Sequence, residues 1–269
     1  MLGAACLAPV LGVAPLRPAG LEPSLAILSN AGNAAPADEK DVRHAERWAA
    51  ALAAFRAAER AMRAVLARER PEDGILGEEY GSKPGTSGLT WVLDPIDGTR
   101  GYISGTPTWG VLIAVSDAEG PIFGIIDQPY IGERFCGGLG EASVVGPLGT
   151  LGLRTARPRP LAEATILTTF PEIGTPEEHR AFRRVADRAR LVRYGMDCYG
   201  YALLAAGQVD LVIEAGLQPY DVQAPIAVVT AAGGVATDWE GRPAHNGGRL
   251  LAAANPELHA TAMALLAGL

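Results

Sequence analysis

The 269-residue sequence lacks three features that would each indicate a particular class of protein: cysteine pairs, an excess of positive charge and long apolar runs. Its three cysteines, Cys6, Cys136 and Cys198, are far apart and form no CxxC or zinc-type spacing, which argues against a disulfide framework or a zinc site. A reduced, cytoplasmic location is therefore predicted. The net charge of −7 argues against nucleic acid as a partner.

No apolar run reaches the roughly 18 residues that a membrane span needs, so no membrane partner is predicted. Residues 1–20 are apolar but are interrupted by Pro9, Pro15 and Pro18, and no basic segment precedes the apolar part. We therefore predict no signal peptide. The four histidines show no metal-ligand spacing, and each is interpreted as a solvated or capping residue.

Hydrophobic residues make up 48% of the chain, enough for a large core in one large domain or two small ones. A helical period runs over residues 44–70, where Trp48, Leu52, Phe55, Met62 and Leu66 fall near one face. Strand and helix patterns then alternate, which predicts a layered α/β or α+β fold. Strands are predicted at 91–93, 109–116, 121–126, 133–137, 142–145, 164–170, 209–214 and 235–238. A hairpin turn is predicted at 117–120 and a polar loop at 81–90. Further helices are predicted at 175–190, 199–206, 222–232 and 256–266.

An acidic cluster surrounds one predicted strand. Asp94 and Asp97 follow the apolar run 91–93, and Glu78 precedes it in the segment GEEYG (77–81). Pro95 has no N–H to donate, so strand pairing is predicted to stop there and both aspartates to leave the sheet on a tight turn. Clustered carboxylates suit a hard divalent cation, and the N–H groups of the following Gly-Thr pair suit an anion. The pattern suggests metal-assisted phosphate chemistry, although a DPxDG segment alone also forms solvated surface turns.

Three further carboxylates each allow two interpretations, one structural and one functional. Asp221 precedes an apolar helix and is either its N-cap or a carboxylate held rigidly at the helix start, facing the first cluster. Glu214 ends a predicted strand, and Asp197 lies in a segment with few charges. Each is either a strand-end or turn residue or a member of the same site, because spacing alone does not bring them to Glu78.

Three segments resemble the inositol monophosphatase superfamily: GEEYG (77–81), WVLDPIDGTRGYISG (91–105) and PYDVQAPIAVVTAAGG (219–234). That superfamily carries a GEE element, a DPIDGT element and a WD element followed by Gly-Gly, in this order. The resemblance covers residues 56–269 and implies an α/β (α+β) fold, a layered αβαβα sandwich of the inositol monophosphatase / fructose-1,6-bisphosphatase type. It further implies a phosphatase domain at 56–269 with sub-domains at about 56–152 and 153–269, an atypical N-terminal segment at 1–55, and a homodimer.

Within the superfamily, the likeness is greatest to its histidinol-phosphate phosphatases. It rests on segments 97–105, 109–114 and 124–134, on GMDCY (195–199), and on Tyr220, where the superfamily usually has Trp. The resemblance implies a magnesium-dependent phosphomonoesterase that hydrolyses the small-molecule ester L-histidinol phosphate in histidine biosynthesis, by in-line attack of water. An inositol-1-monophosphatase or a nucleotide bisphosphate phosphatase is the alternative within this class.

The resemblance also implies roles for individual residues. The ligands of two or three Mg²⁺ ions would be Glu78, Asp94, Asp97, Asp221 and the carbonyl oxygen of Ile96, and the catalytic residues would be Asp97, Thr99 and Glu78. Gly98 and Thr99 resemble the residues that position phosphate and water. Glu214 matches the acidic residue that contacts the alcohol part of the substrate, here the ammonium group of histidinol, and Asp197 is a further candidate for that pocket.

The sequence departs from the superfamily before residue 56. Members usually carry a Lys-x-Asp-x-Ser-Pro-Val-Thr-x-x-Asp segment, whose last Asp pairs with the threonine of DPIDGT and helps to activate water. Phe55 stands at that position here, and no Pro-Val-Thr precedes it. Phe55 shares a helical face with Leu52 and Met62, so we predict that it packs into the core and leaves Thr99 without its carboxylate partner. A non-catalytic or impaired homologue that binds metal or phosphate is therefore the second hypothesis.

Overall fold

The computed structural model describes residues 37–268, so Cys6 and the segment tested for a signal peptide lie outside the described residues. The described chain begins with the long helix α1 (Ala37–Glu69). The first sheet contains β1 (Gly74–Gly77), β2 (Gly81–Lys83), β3 (Thr90–Asp97), β4 (Gly110–Asp117), β5 (Gly120–Gln128), β6 (Glu133–Gly138), β7 (Glu141–Gly146) and β8 (Gly149–Gly152). Its order is β2-β1-β3-β4-β5-β6-β7-β8, and helix α2 (Thr99–Ser104) connects β3 to β4.

A second sheet comes from the C-terminal part of the chain. Its strands are β9 (Thr165–Thr168), β10 (Leu191–Tyr194), β11 (Leu211–Leu217), β12 (Val235–Thr237) and β13 (Gly248–Ala253), in the order β10-β9-β11-β13-β12. The helices that alternate with them are α3 (Pro176–Ala186), α4 (Asp197–Ala205), α5 (Pro219–Ala231) and α6 (Pro256–Ala267). Strand β9 runs parallel to β10 and β11, and the other pairs are antiparallel.

Three hydrophobic clusters stack these elements into layers. Helix α1 covers one face of the first sheet, where Met62 and Leu66 share a cluster with Trp91 and Leu93. Helices α4 and α5 lie between the two sheets and form the central cluster with both of them; its members include Leu204, Val222, Val228, Val92, Leu112, Val212 and Leu250. Helices α3 and α6 cover the outer face of the second sheet; their buried residues there include Phe182, Val185, Leu258, Ala262 and Leu266. This order confirms the predicted αβαβα sandwich.

The predicted helices and strands are present, with shifted ends. The helix predicted at 175–190 begins after the N-cap Thr175 but ends at Ala186, and the hairpin turn at 117–120 is confirmed by the pairing of Asp117 with Gly120. Trp48 and Leu52 are exposed, so the apolar face predicted for α1 holds only for its second half. Among the described residues, the sequence analysis missed strands β1, β2, β8, β10 and β13, helix α2 and the short 3-10 helix Leu161–Glu163. Strands β2 and β8 are fully exposed and carry no apolar alternation to detect.

The prediction that strand pairing stops at Pro95 is wrong, because β3 continues through it. Asp94 pairs with Leu112 and Asp97 pairs with Gly110, and the register shifts between the two pairs. The shift is a β-bulge, which removes the need for a ladder N–H at Pro95. Asp94 and Asp97 therefore lie on one bulged strand rather than on a turn beyond the sheet.

The domain boundaries predicted from the sequence stay predictions. The boundary at residue 55 falls inside α1, and the boundary at residue 152 falls between β8 and β9. Among residues 37–268, no helix combines the length and the apolar composition that a membrane span requires.

The central cluster predicts a difference in stability between two leucine-to-alanine variants. Leu112 in β4 is 0% exposed, whereas Leu148 in the turn before β8 is 90% exposed. Leu112→Ala should lower the free energy of unfolding by about 2–5 kcal/mol, because it opens a cavity between the sheets. Leu148→Ala should change it by less than about 0.5 kcal/mol. Denaturant titration of both variants checks this, and equal losses would contradict the packing described here.

Candidate metal centre

The ends of two parallel strands bring the first two carboxylates together. Strand β1 pairs in parallel with β3, with Gly77 opposite Leu93, and the N–H of Glu78 donates to the carbonyl oxygen of Leu93 at 3.2 Å. The carboxyl ends of parallel neighbours meet at one edge of the sheet, so Glu78 follows β1 at the level of Asp94. The charge of Glu78 raises the pKa of Asp94, so the two carboxylates lie near each other, and Glu78 is the less buried of the pair.

Asp221 reaches this edge from the start of α5. Its interpretation as a helix N-cap is wrong, because the N-cap is Gln218 and Asp221 lies three residues later. The two residues form a reciprocal capping box, in which the N–H of Gln218 donates to Asp221 Oδ2 at 2.7 Å. One carboxylate oxygen from each of Asp94, Asp97 and Asp221 lies within 4.8 Å of the others. The geometry therefore favours the second interpretation, a carboxylate held at the helix start that faces the first cluster.

Main-chain N–H groups also fix the two aspartates of β3. The N–H of Ile96 donates to Asp94 Oδ1 at 2.9 Å, within the bulge that Pro95 creates. The N–H of Cys198, in the first turn of α4, donates to Asp97 Oδ2 at 2.7 Å. Main-chain donors do not change rotamer, so these bonds hold the carboxylates in place before any ligand arrives.

The clustered negative charge changes the acidity of these groups. Burial raises the pKa of Asp94 well above its usual value, and the charges of Asp97, Glu78 and Asp221 raise it further. Burial and the charges of Asp221 and Asp197 raise the pKa of Asp97 to about 7, against the opposing N–H of Cys198. Such shifts arise where like charges share a desolvated site without a counter-charge. The donor set consists of oxygen atoms alone, so it fits a hard divalent cation.

Asp197 lies beside the segment predicted to hold phosphate. It is half-buried, and its φ of +47° is unusual for a residue other than glycine. Gly98 has a φ of +79°, and a Cβ there would lie 2.9 Å from Asp197 Cγ, so this approach requires glycine. The hydroxyl of Thr108 donates to Asp197 Oδ2 at 3.4 Å. Asp197 is therefore the first residue of α4, held against the Gly98 turn, and its substrate contact stays a prediction.

Glu214 is a buried carboxylate of the second sheet. It lies within β11 and is 8% exposed, so its interpretation as an exposed strand-end residue is wrong. The main-chain N–H and the hydroxyl of Thr169 both donate to Glu214 Oε1, at 3.0 and 2.7 Å. Burial raises the pKa of Glu214 to about 8; the charges of Asp97 and Asp197 add to the rise, and the bonds from Thr169 oppose it. Its carboxylate is thus close enough to Asp97, in the acidic cluster, for that charge to raise its pKa.

Phe55 and Thr99 are arranged as the sequence predicted. Phe55 is 2% exposed, shares a cluster with Ile96 and Trp109, and its ring centroid lies 5.4 Å from that of Tyr102. The prediction that Phe55 packs into the core is confirmed. The hydroxyl of Thr99 donates to the carbonyl oxygen of Ile96 at 3.4 Å, a long bond to a group that cannot take up a proton.

The sequence analysis missed two residues that hold this site together. Thr169 fixes Glu214 across two neighbouring strands, and no local pattern indicates that contact. Glu59 binds the segment that carries Glu78. The sequence does contain a signal for Glu59, because positions 55, 59, 62 and 66 lie on one helical face. A single carboxylate on an otherwise apolar, buried face needs a hydrogen-bond or ionic partner.

The model of the inositol monophosphatase family matches residues 22–268 of the chain. The chain belongs to the inositol monophosphatase family. This match to a family of metal-dependent phosphatases begins before residue 56, so it includes part of the segment that the sequence analysis left outside the resemblance. Members of this family are phosphatases, and this chain carries its acidic cluster where β1 and β3 end and α5 begins.

Named members of the family cover more than one substrate. The bifunctional phosphatase IMPL2, chloroplastic, of Arabidopsis thaliana is 43% identical over 69% of this chain, which spans only 53% of that protein. A histidinol-phosphatase of Chlorobaculum parvum is 33% identical over 75% of this chain and 77% of its own. A solved structure of an inositol monophosphatase from Zymomonas mobilis is 36% identical, with a TM-score of 0.72 over 87% of this chain and 100% of its own.

The site predicts opposite effects of Asp221→Asn with and without metal. Magnesium ions should raise the melting temperature of the wild-type protein, because a ligand that binds only the folded state stabilises it. In Asp221→Asn that rise should be largely lost, since one charge of the cluster is removed while Asn still accepts the bond from Gln218. Without metal, the variant should be at least as stable as the wild type, because one repulsive charge is gone.

Thermal unfolding in chelator and in millimolar magnesium measures both effects. Asp117→Asn is the matched control, because Asp117 is an exposed carboxylate at the far end of β4. A magnesium response in Asp221→Asn equal to that of the control would contradict the assignment of Asp221 to a metal site.

Proposed function

We propose that this phosphatase is a magnesium-dependent phosphomonoesterase whose substrate is the phosphate ester of an amino alcohol, namely L-histidinol phosphate. Glu78, Asp94, Asp97, Asp221 and the carbonyl oxygen of Ile96 would hold the metal. Bound there, Mg²⁺ would offset the charge of the phosphate oxygens and lower the pKa of water. The oxygen-only donor set and the raised pKa values of these carboxylates support the choice of a hard, doubly charged cation.

The remaining residues would orient the ester. Gly98 and Thr99 would present main-chain N–H groups and a hydroxyl to the phosphate, beside the metal ligand Asp97. Thr99 would also orient the attacking water, with its hydroxyl proton directed to the carbonyl oxygen of Ile96. These groups would contact any phosphate ester in the same way, so they do not decide which alcohol is bound.

One observation favours an amino alcohol: Glu214 is a buried carboxylate whose described partner is the uncharged Thr169. A buried carboxylate is costly unless a cation neutralises it, and the ammonium group of histidinol would do so. Asp197, half-buried on the phosphate side, would add a second negative charge to the same pocket. Inositol carries no cation and would offer these carboxylates only neutral hydroxyl donors, so a negatively charged pocket favours the amino alcohol.

A catalytically impaired homologue is the second candidate, and Phe55 is the observation that favours it. The residue fills the space between α1 and α2 with an aromatic ring, so Thr99 has a carbonyl oxygen rather than a carboxylate as its acceptor. Loss of a general base typically costs about 10²–10⁴-fold in rate. Metal binding without measurable turnover would favour this candidate over the enzyme.

Phosphate release from a panel of esters tests the proposed function. With magnesium, L-histidinol phosphate should be hydrolysed faster than inositol 1-phosphate or a nucleotide bisphosphate. Asp94→Asn should lower the rate by more than about 100-fold, because it removes ligand charge at the centre of the cluster. Equal turnover of the histidinol and inositol esters would contradict the assignment of the substrate. Full activity of Asp94→Asn would contradict the assignment of Asp94 as a metal ligand.

Glu214→Gln should change specificity rather than general activity. A charged hydrogen bond contributes about 1.5–3 kcal/mol, so kcat/KM for L-histidinol phosphate should fall by about 10- to 100-fold. Turnover of an ester without an amine, such as inositol 1-phosphate, should hardly change, because the phosphate and metal groups are intact. The ratio of kcat/KM for the two esters is the measurement, and an equal fall for both would rule out a role in binding the ammonium group.

A further inference from the structure

Glu59 is a fully buried carboxylate outside the acidic cluster. It lies in the second half of α1 and is 0% exposed. Its Oε2 accepts the main-chain N–H of Glu79 at 2.7 Å, and its Oε1 accepts Arg63 Nε at 2.7 Å, one helical turn later. Glu79 directly follows the predicted metal ligand Glu78, so this one side chain joins α1 to the segment that carries the ligand.

The end of β1 packs directly against this carboxylate. A Cβ on Gly77 would lie 2.0 Å from Glu59 Oε1, so any side chain here would displace the Glu59 carboxylate. On the other side of the segment, Arg63 Nη2 donates to the carbonyl oxygen of Gly81 at 2.5 Å. Residues 77, 79 and 81 are therefore held by Glu59 and Arg63, with Glu78 between the fixed points.

The outer contacts of the same segment are weaker. The guanidinium groups of Arg60 and Arg63 lie 6.0 and 5.9 Å from the centre of the Tyr80 ring, and Arg56 Nε lies 3.3 Å from Glu79 Oε2. Arg56, Arg60 and Tyr80 are exposed, and contacts between exposed charged groups contribute little because water screens them. The carboxylate of Glu59 is thus the buried side-chain anchor of the segment, beside the main-chain bond from Glu78 to Leu93 and the pairing of Gly77 with Gly81.

A glutamate at this position carries an electrostatic cost. Burial raises the pKa of Glu78 to about 7, and among the charges that raise it further is that of Glu59. A neutral residue would avoid this repulsion. Two donors converge on the side chain, however, and only a carboxylate accepts from both without offering a competing N–H group. The requirement for two acceptors explains why the charge is kept.

We infer that Glu59 is a positioning residue for the metal centre: with Arg63, it fixes the segment after β1 so that Glu78 faces Asp94. The inference rests on the proposed metal-dependent function. Groups that orient metal ligands without touching the metal typically contribute about 10- to 100-fold in metal affinity. Glu59 contacts neither substrate nor metal in this assignment, so its effect must appear in metal binding.

Isothermal titration calorimetry of magnesium into the metal-free, full-length protein, without substrate, tests the inference. Glu59→Gln keeps the size of the side chain but places an NH₂ group against the donors from Arg63 and Glu79. The magnesium dissociation constant should rise by about 10- to 100-fold. Glu69→Gln is the matched control, since it makes the same change on an exposed side chain at the end of α1, and it should bind magnesium like the wild type.

The outcomes separate the inference from the proposed function. If the wild-type protein binds no magnesium, the proposed function fails. If the wild type binds but Glu59→Gln binds equally well and only melts at a lower temperature, Glu59 is structural and the inference is overturned. If Glu59→Gln does not fold, Arg63→Lys decides, because it keeps the charge but cannot reach both Glu59 and Gly81. Its dissociation constant should rise severalfold, and wild-type affinity would overturn the inference.

Discussion

Repulsion among the clustered carboxylates of Asp94, which is buried, and of the half-buried Asp97 and Asp221 is the constraint on which the rest of the site depends. Their oxygens lie within 4.8 Å of one another, and burial together with neighbouring charge raises the pKa of each aspartate of β3. Free side chains would separate or take up protons under such conditions. Here each carboxylate is held by a main-chain N–H, and the donors belong to Ile96, Cys198 and Gln218. Their positions are therefore set by how the bulged strand and two helix starts pack together, rather than by rotamer choice.

The layer order explains how these donors converge. Helices α4 and α5 are packed between the two sheets, and their first turns carry the Cys198 donor and Asp221 at the edge where β1 and β3 end. Glu214 approaches from the second sheet, which is why its pKa responds to Asp97. The centre is thus built from both sheets and the helices between them. A change in the central hydrophobic cluster can therefore disturb the site without touching any polar group.

Local apolar periods predict a layered α/β or α+β fold. The αβαβα order of the layers and the roles of the acidic residues follow only from the resemblance carried by segments 77–81, 91–105 and 219–234. Prediction from the sequence failed where the outcome depends on contacts between distant segments. The sequence predicts that strand pairing ends at Pro95, whereas in the structure β3 pairs with β4 again at Asp97, after a bulge. For Asp221 the sequence leaves the N-cap and the cluster as alternatives, because nothing local shows that Gln218 is the N-cap. Thr169 lies far from Glu214 in sequence, so only parallel pairing of β9 and β11 brings the two together.

Helix α1 braces the acidic cluster but offers no proton acceptor to Thr99. Phe55 packs near Ile96 at the end of β3, and Glu59, one turn later, binds the segment after β1. Both contacts brace segments that carry candidate ligands, and neither offers a base to Thr99. The aromatic ring of Phe55 still holds α1 against the end of β3, because packing against Ile96 and Trp109 needs only apolar surface. It cannot accept a proton, because that task needs a charged oxygen within hydrogen-bond distance. The geometry of the acidic cluster can therefore persist although residue 55 offers Thr99 no proton acceptor.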